Sequence, residues 1–185
     1  MDEDSNTIYV TNTNDDTVSV INGSTCNGSN GSGCGQTPPT VAVGRGPRAV
    51  GVNQRTDTVY VGNGFDGTVS VLDARRCNGD DTSGCGQTPP TVATGSPSDT
   101  GVAMGRTMAV DQDSNTVYLT SVFDSDVVRI DGAVCRAGHT TGCRARALKR
   151  RAGGFPINIS LDRAAGTLYV ADNVDSNVSF FGLGR

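Results

Sequence analysis

Four segments of this chain align without a gap: NTIYVTNTNDDTVSV from Asn6, DTVYVGNGFDGTVSV from Asp57, NTVYLTSVFDSDVVR from Asn115 and GTLYVADNVDSNVSF from Gly166. Tyr9, Tyr60, Tyr118 and Tyr169 mark a common register, at separations of 51, 58 and 51 residues. A repeat of this length is one supersecondary unit that cannot bury its apolar face alone, so successive units must stack on one another.

The second unit shows what is being repeated. RAVGV (48–52), TVYVG (58–62), TVSVLD (68–73) and TVATG (91–95) are short runs rich in β-branched residues, separated by segments rich in Gly, Asn and Asp. Such runs are the signals of antiparallel hairpins. The composition agrees, with 25 Gly and no Trp among 185 residues and an apolar fraction of only 35%. Four strands per unit, repeated in tandem, predict an all-β propeller built of four-stranded antiparallel blades.

YVTNTNDDTVSVING also resembles the YVTN family of β-propeller repeats, whose name is spelled by Tyr9, Val10, Thr11 and Asn12. The likeness runs along nearly the whole chain, although the third and fourth units read YLTS (118–121) and YVAD (169–172). It implies the propeller fold. Its functional implications are broad, because the family includes surface-layer proteins, binding modules and relatives of lactonases.

With strands A to D named from the inside of each blade outward, the chain reads BCD, ABCD, ABCD, ABC: 14 strands, or about three and a half blades. The expected divisions are a partial blade over 1–43, blades over 44–95 and 96–152, and a partial blade over 153–185. Closed propellers use about four to eight blades. Three readings follow: a portion of a longer propeller, a ring made from several chains, or head-to-tail stacking into a filament.

The cysteines obey the same repeat. Cys26 and Cys34, Cys77 and Cys85, and Cys135 and Cys143 each show C-x7-C spacing between strands C and D. Six cysteines allow 15 pairings, and the recurring local spacing favours three disulfides within hairpins. Zinc is disfavoured, since its sites usually combine four ligands with CxxC or nearby His spacing, and the chain has one histidine, His139. No metal or cofactor is expected. Disulfides imply an oxidising, extracellular or cell-surface setting, although the opening MDEDSNTIYV is acidic, unlike a secretory leader.

Repetition also filters candidate sites, because a residue present in every unit holds the blade together, whereas a catalytic group is needed once. Asp15, Asp66, Asp124 and Asp175 share one turn position, as do Asp2, Asn53, Asp111 and Asp162. Both sets read as turn-forming residues. DQDSN, with Asp111, Asp113 and Asn115, resembles the first half of a calcium loop but lacks its glycine and distal acid.

Departures from the repeat point to function. GSPSDTGVAMGRTMAV carries seven extra residues, on the face where B–C and D–A loops gather. Asp99 and Arg106 from this insertion, with Arg45, Arg48, Asn63, Phe65 and Phe123 from adjacent loops, form a candidate contact surface. CRARALKRRAGG (143–154) replaces the CGQTPPTVAVG of the other units and adds Arg144, Arg146, Lys149, Arg150 and Arg151 on an outer strand. That stretch reads either as a charged edge that resists strand pairing or as a docking surface for acidic glycans or another subunit.

No GxSxG or HExxH segment occurs, and no nucleophile and base fall together. The expected role is therefore a non-catalytic extracellular scaffold or binding module with protein partners, reached by self-association or through the remainder of a longer propeller. The alternatives are a filament or surface-layer subunit and a lactonase-like hydrolase acting over the channel. A net charge of −4 argues against nucleic acid as a partner, and no run is apolar enough to insert into a membrane.

Overall fold

A computed structural model describes residues 1–95 and 104–183, with the side chains of 104–106 outside that description. Among the described residues, 14 strands form four sheets of antiparallel neighbours. The first holds β1 (Thr7–Asn12), β2 (Thr17–Asn22) and β3 (Thr40–Ala42). The second holds β4 (Pro47–Asn53), β5 (Thr58–Asn63), β6 (Thr68–Asp73) and β7 (Thr91–Ala93). The third holds β8 (Met104–Asp111), β9 (Thr116–Ser121), β10 (Asp126–Asp131) and β11 (Leu148–Arg151). The fourth holds β12 (Pro156–Asp162), β13 (Thr167–Asp172) and β14 (Asn177–Gly182). This is the all-β propeller architecture expected from the repeat, with the inner strands β4, β8 and β12 side by side.

Local chemistry sets the hairpins. Non-extended backbone with positive φ recurs three residues before each tyrosine, at Asn6, Asp57, Asn115 and Gly166, and seven residues after it, at Asp16, Gly67, Ser125 and Ser176. Gly has no Cβ to resist this conformation, and Asn and Asp tolerate it through local hydrogen bonds. These left-handed positions fall in the segments between strands, the second set one residue after the shared acids Asp15, Asp66, Asp124 and Asp175. Register follows from these turns: Tyr9 pairs with Val20, Tyr60 with Val71, Tyr118 with Arg129 and Tyr169 with Phe180.

Because side chains alternate across a strand, each sheet presents one face to the sheet before it and one to the sheet after. Tyr9, Val18, Val20 and Val41 of the first sheet pack against Val59, Val61 and Leu72 of the second. Tyr60, Val69, Val71 and Val92 of the second meet Val117, Leu119, Val128 and Ile130 of the third. Between the third and fourth lie Tyr118, Val127, Ile159, Leu168 and Val170. The core is therefore a series of layers between sheets, and each fully buried Val or Leu contributes about 1.5–3 kcal/mol.

The structure pairs Cys26 with Cys34, Cys77 with Cys85 and Cys135 with Cys143. Cys77, Cys85, Cys135 and Cys143 are buried against a preceding sheet, whereas Cys34, on the first sheet, is exposed. These loops therefore belong to the blade boundaries as well as to their own hairpins.

Candidate functional site

The turn acids serve the fold. The Asp66 carboxylate accepts the Arg45 backbone N–H at 2.7 Å, and Asp175 accepts that of Gly154 at 2.5 Å, tying each B–C turn to the loop that enters its own blade. Asp2 and Asp111 accept the hydroxyls of Ser5 and Ser114, at 2.7 and 2.6 Å, within their A–B turns. Among the described residues, no group of three or more His, Cys, Asp or Glu side chains is placed to hold a metal ion.

The loop-face candidates fall into two groups. Around the second sheet, the Arg45 guanidinium also reaches Asp66, at 2.7 Å. The Arg48 guanidinium lies 5.9 Å from the Phe65 ring centre, a cation–π contact. Its Nε is buried and has no hydrogen-bond partner among the described residues. Asn63 is wholly buried and donates from Nδ2 to Thr68 and Ser70 at 3.0 and 2.8 Å, so it braces the hairpin beneath that surface. Phe123 stands apart on the third sheet, half exposed and edge-on to Phe155, with ring centres 6.4 Å apart. Asp99 and the side chain of Arg106 lie outside the described residues.

The basic stretch is divided by strand alternation. Lys149 Nζ reaches Asp124 at 2.6 Å and Asp126 at 3.9 Å, with only 21% of its side chain exposed. Arg151 donates to the Asp124 carbonyl at 2.7 Å. Arg150 turns to the opposite face, toward the fourth sheet, and lies over the Phe181 ring at 5.2 Å. Arg144 ends a short 3-10 turn and is exposed, as is Arg146. These five cations therefore do not form one patch.

One further cation belongs with Arg150. Arg129 occupies the place held by Val20 and Val71 in the first two units, visible as the final letter of NTVYLTSVFDSDVVR. It is exposed and lines the same cleft as Arg150, with Tyr118, Leu148, Leu168 and Phe181. Sequence reading missed it, although the alignment carried the signal.

The register tyrosines explain how sheets are joined. Tyr9 donates to the Cys77 carbonyl and Tyr60 to that of Cys135, each at 2.8 Å. Both are buried, and burial pushes each phenol well above its ordinary value. Two residues before each tyrosine, Thr7 Oγ1 accepts from Gly79 N at 2.7 Å and Thr58 Oγ1 from Ala137 N at 3.0 Å. The two boundaries among the first three sheets thus repeat each other atom by atom.

No family profile and no curated protein matches the chain. Solved structures do. A hydrazine synthase of Kuenenia stuttgartiensis superposes with a TM-score of 0.70 at 16% identity, covering 99% of this chain and 44% of the other. The dihydro-heme d1 dehydrogenase NirN, in complex with DHE, superposes with a TM-score of 0.62 at 13% identity, covering 97% of this chain and 33% of the other. Both are propeller-type proteins, so the likeness shows the fold, and this chain spans under half the length of either.

These likenesses correct the expectation of a non-catalytic chain. Both named structures are enzymes, and their fold matches over nearly all of this one. A propeller gathers loops from several blades at one end, so a site there needs no contiguous motif; the missing GxSxG and HExxH segments carry little weight against catalysis.

Proposed function

We propose that this chain is a YVTN-type propeller module, exported to the cell surface, whose two outermost sheet faces dock head to tail on further blades of the same kind, those of another copy or of a longer propeller. One observation carries the reading: the unit boundary has a recurring hydrogen-bond code, and its two halves stand unmatched at opposite ends. Tyr169 holds the position of Tyr9 and Tyr60 but is 42% exposed, beside Val178 and Phe180, which are 59% and 74% exposed where Val69 and Val71 are buried. At the other end, Cys26 and Gly28 hold the positions of Cys77 and Gly79, on a face with Val10 exposed.

Placing the fourth sheet of one chain against the first sheet of another would pair Tyr169 with the Cys26 carbonyl and Thr167 with the Gly28 N–H. The three disulfides support an oxidising setting, and among the described residues no helix is long and apolar enough to cross a membrane.

Sedimentation velocity over a wide concentration range tests this. Association that weakens at least about tenfold in Phe180→Asp or Tyr169→Ala is the expected result, since a charge in an apolar contact is strongly disfavoured. Association unchanged by both substitutions refutes head-to-tail docking.

A further inference from the structure

Two of the five cations in CRARALKRRAGG are placed differently from the rest. Lys149 and Arg151 are tied down, the first on the Asp124 carboxylate and the second on its carbonyl, and their backbone pairs with β10 from Asp126 to Arg129. Arg144, Ala145 and Arg146 lie between the Cys135–Cys143 disulfide and that ladder, and all three are exposed. Ala145 is extended, with φ −73° and ψ 144°.

Exposure at this place is a property of the unit. Gly35 and Thr37 in the first unit, and Gly86 and Thr88 in the second, hold the positions of Arg144 and Arg146. All four are exposed although the disulfide loop of a following unit packs on each of those sheets. What changes is the chemistry: those units read GQTPP, with proline after Thr37 and Thr88, where the third reads RARAL. Proline lacks the amide N–H and fixes φ, so the bond before it is a poor substrate for an endoprotease that takes its target as an added strand. The third unit instead sets arginine before alanine in an exposed, extended connection, where proteolytic nicking concentrates. Arginines elsewhere lack this combination: Arg48 and Arg129 lie within strands, Arg55 in a 3-10 turn, and Arg75 is held by Asp73.

We propose that the bond between Arg146 and Ala147 is a processing site for a trypsin-like endoprotease, and that the cut chain keeps its fold. Hydrolysis adds water across that C–N bond, leaving a carboxylate on Arg146 and an amino group on Ala147. The piece from Ala147 onward stays seated through the β10–β11 ladder, the Lys149 pair with Asp124, and the layer that joins Tyr118 and Val127 to Ile159, Leu168 and Val170. Cys135 and Cys143 both remain in the other piece, so no covalent link spans the cut. The site lies within the third sheet, and this inference does not rest on the docking proposed above.

Limited trypsin digestion of the folded full chain tests it, read by intact mass without reduction. The first cut is expected after Arg146, giving pieces 1–146 and 147–185 that migrate together in native size exclusion and separate in denaturant with every disulfide intact. Ala147→Pro, which restores the residue of the other units, and Arg146→Gln should each slow loss of the intact chain roughly tenfold, whereas Arg55→Gln should leave it unchanged. Circular dichroism confirms that each variant is folded. A first cut at any other bond, loss of the intact chain as fast in Ala147→Pro and Arg146→Gln as in the wild type, or pieces that part under native conditions overturns the proposal.

Discussion

Tyr60 joins two sheets through one atom, its hydroxyl, which donates to the Cys135 carbonyl inside the layer between them. Replacing it with Phe leaves that buried carbonyl without its donor, and stability should fall by about 1–2 kcal/mol in chemical denaturation. Proton linkage gives the burial of this phenol a pH signature. The folded phenol titrates above the ordinary value of 10.0, so its contribution is complete below that pH and is lost as the pH rises beyond it. Stability measured from pH 8 upward should therefore decline past about pH 10, and more shallowly in Tyr60→Phe.

Glycines at equivalent places offer a paired test. A Cβ added at Gly79 would come within 2.9 Å of the Asn22 backbone, whereas at Gly28 it meets nothing within 4 Å. Gly79→Ala should cost about 1–3 kcal/mol and Gly28→Ala far less in the isolated chain.

At the scale of elements, each disulfide closes a short hairpin loop and should contribute about 2–3 kcal/mol through the unfolded state. The three are not equivalent in their surroundings. Cys77 and Cys85 lie in the first core layer and present the carbonyl that Tyr9 requires, while Cys34 is exposed. Replacing Cys77 and Cys85 together with Ser should lower the thermal midpoint more than the same change at Cys26 and Cys34. Equal shifts would mean that loop closure alone accounts for them.

The strands and turns were legible because their cues are local. The β-branched runs, the Asn, Asp and Gly that accept positive φ, and the spacing of Tyr9, Tyr60, Tyr118 and Tyr169 all lie within one unit. Interactions between units were harder to read. That Tyr60 would find a carbonyl 75 residues away depends on how sheets stack. The split of CRARALKRRAGG between two faces required a register, which put Lys149 on Asp124 and Arg150 on Phe181. Arg129 was in view throughout, as a cation where two other units have valine. A single charge in a strand looks like ordinary alternation until its neighbours are known.

For the whole molecule, the expectation of a scaffold without catalysis rested on missing motifs, and the likeness to two enzymes corrects it. The fold is a propeller, and its loop face carries Arg45, Arg48, Phe65 and Phe123. The central claim concerns its ends: the first and fourth sheets present the two halves of the boundary that the chain already makes internally. Sedimentation velocity of the wild type beside Phe180→Asp tests it most directly. The account predicts concentration-dependent species heavier than one chain in the wild type, and a single-chain mass in the variant. A wild type that keeps the mass of one chain at every concentration would contradict it.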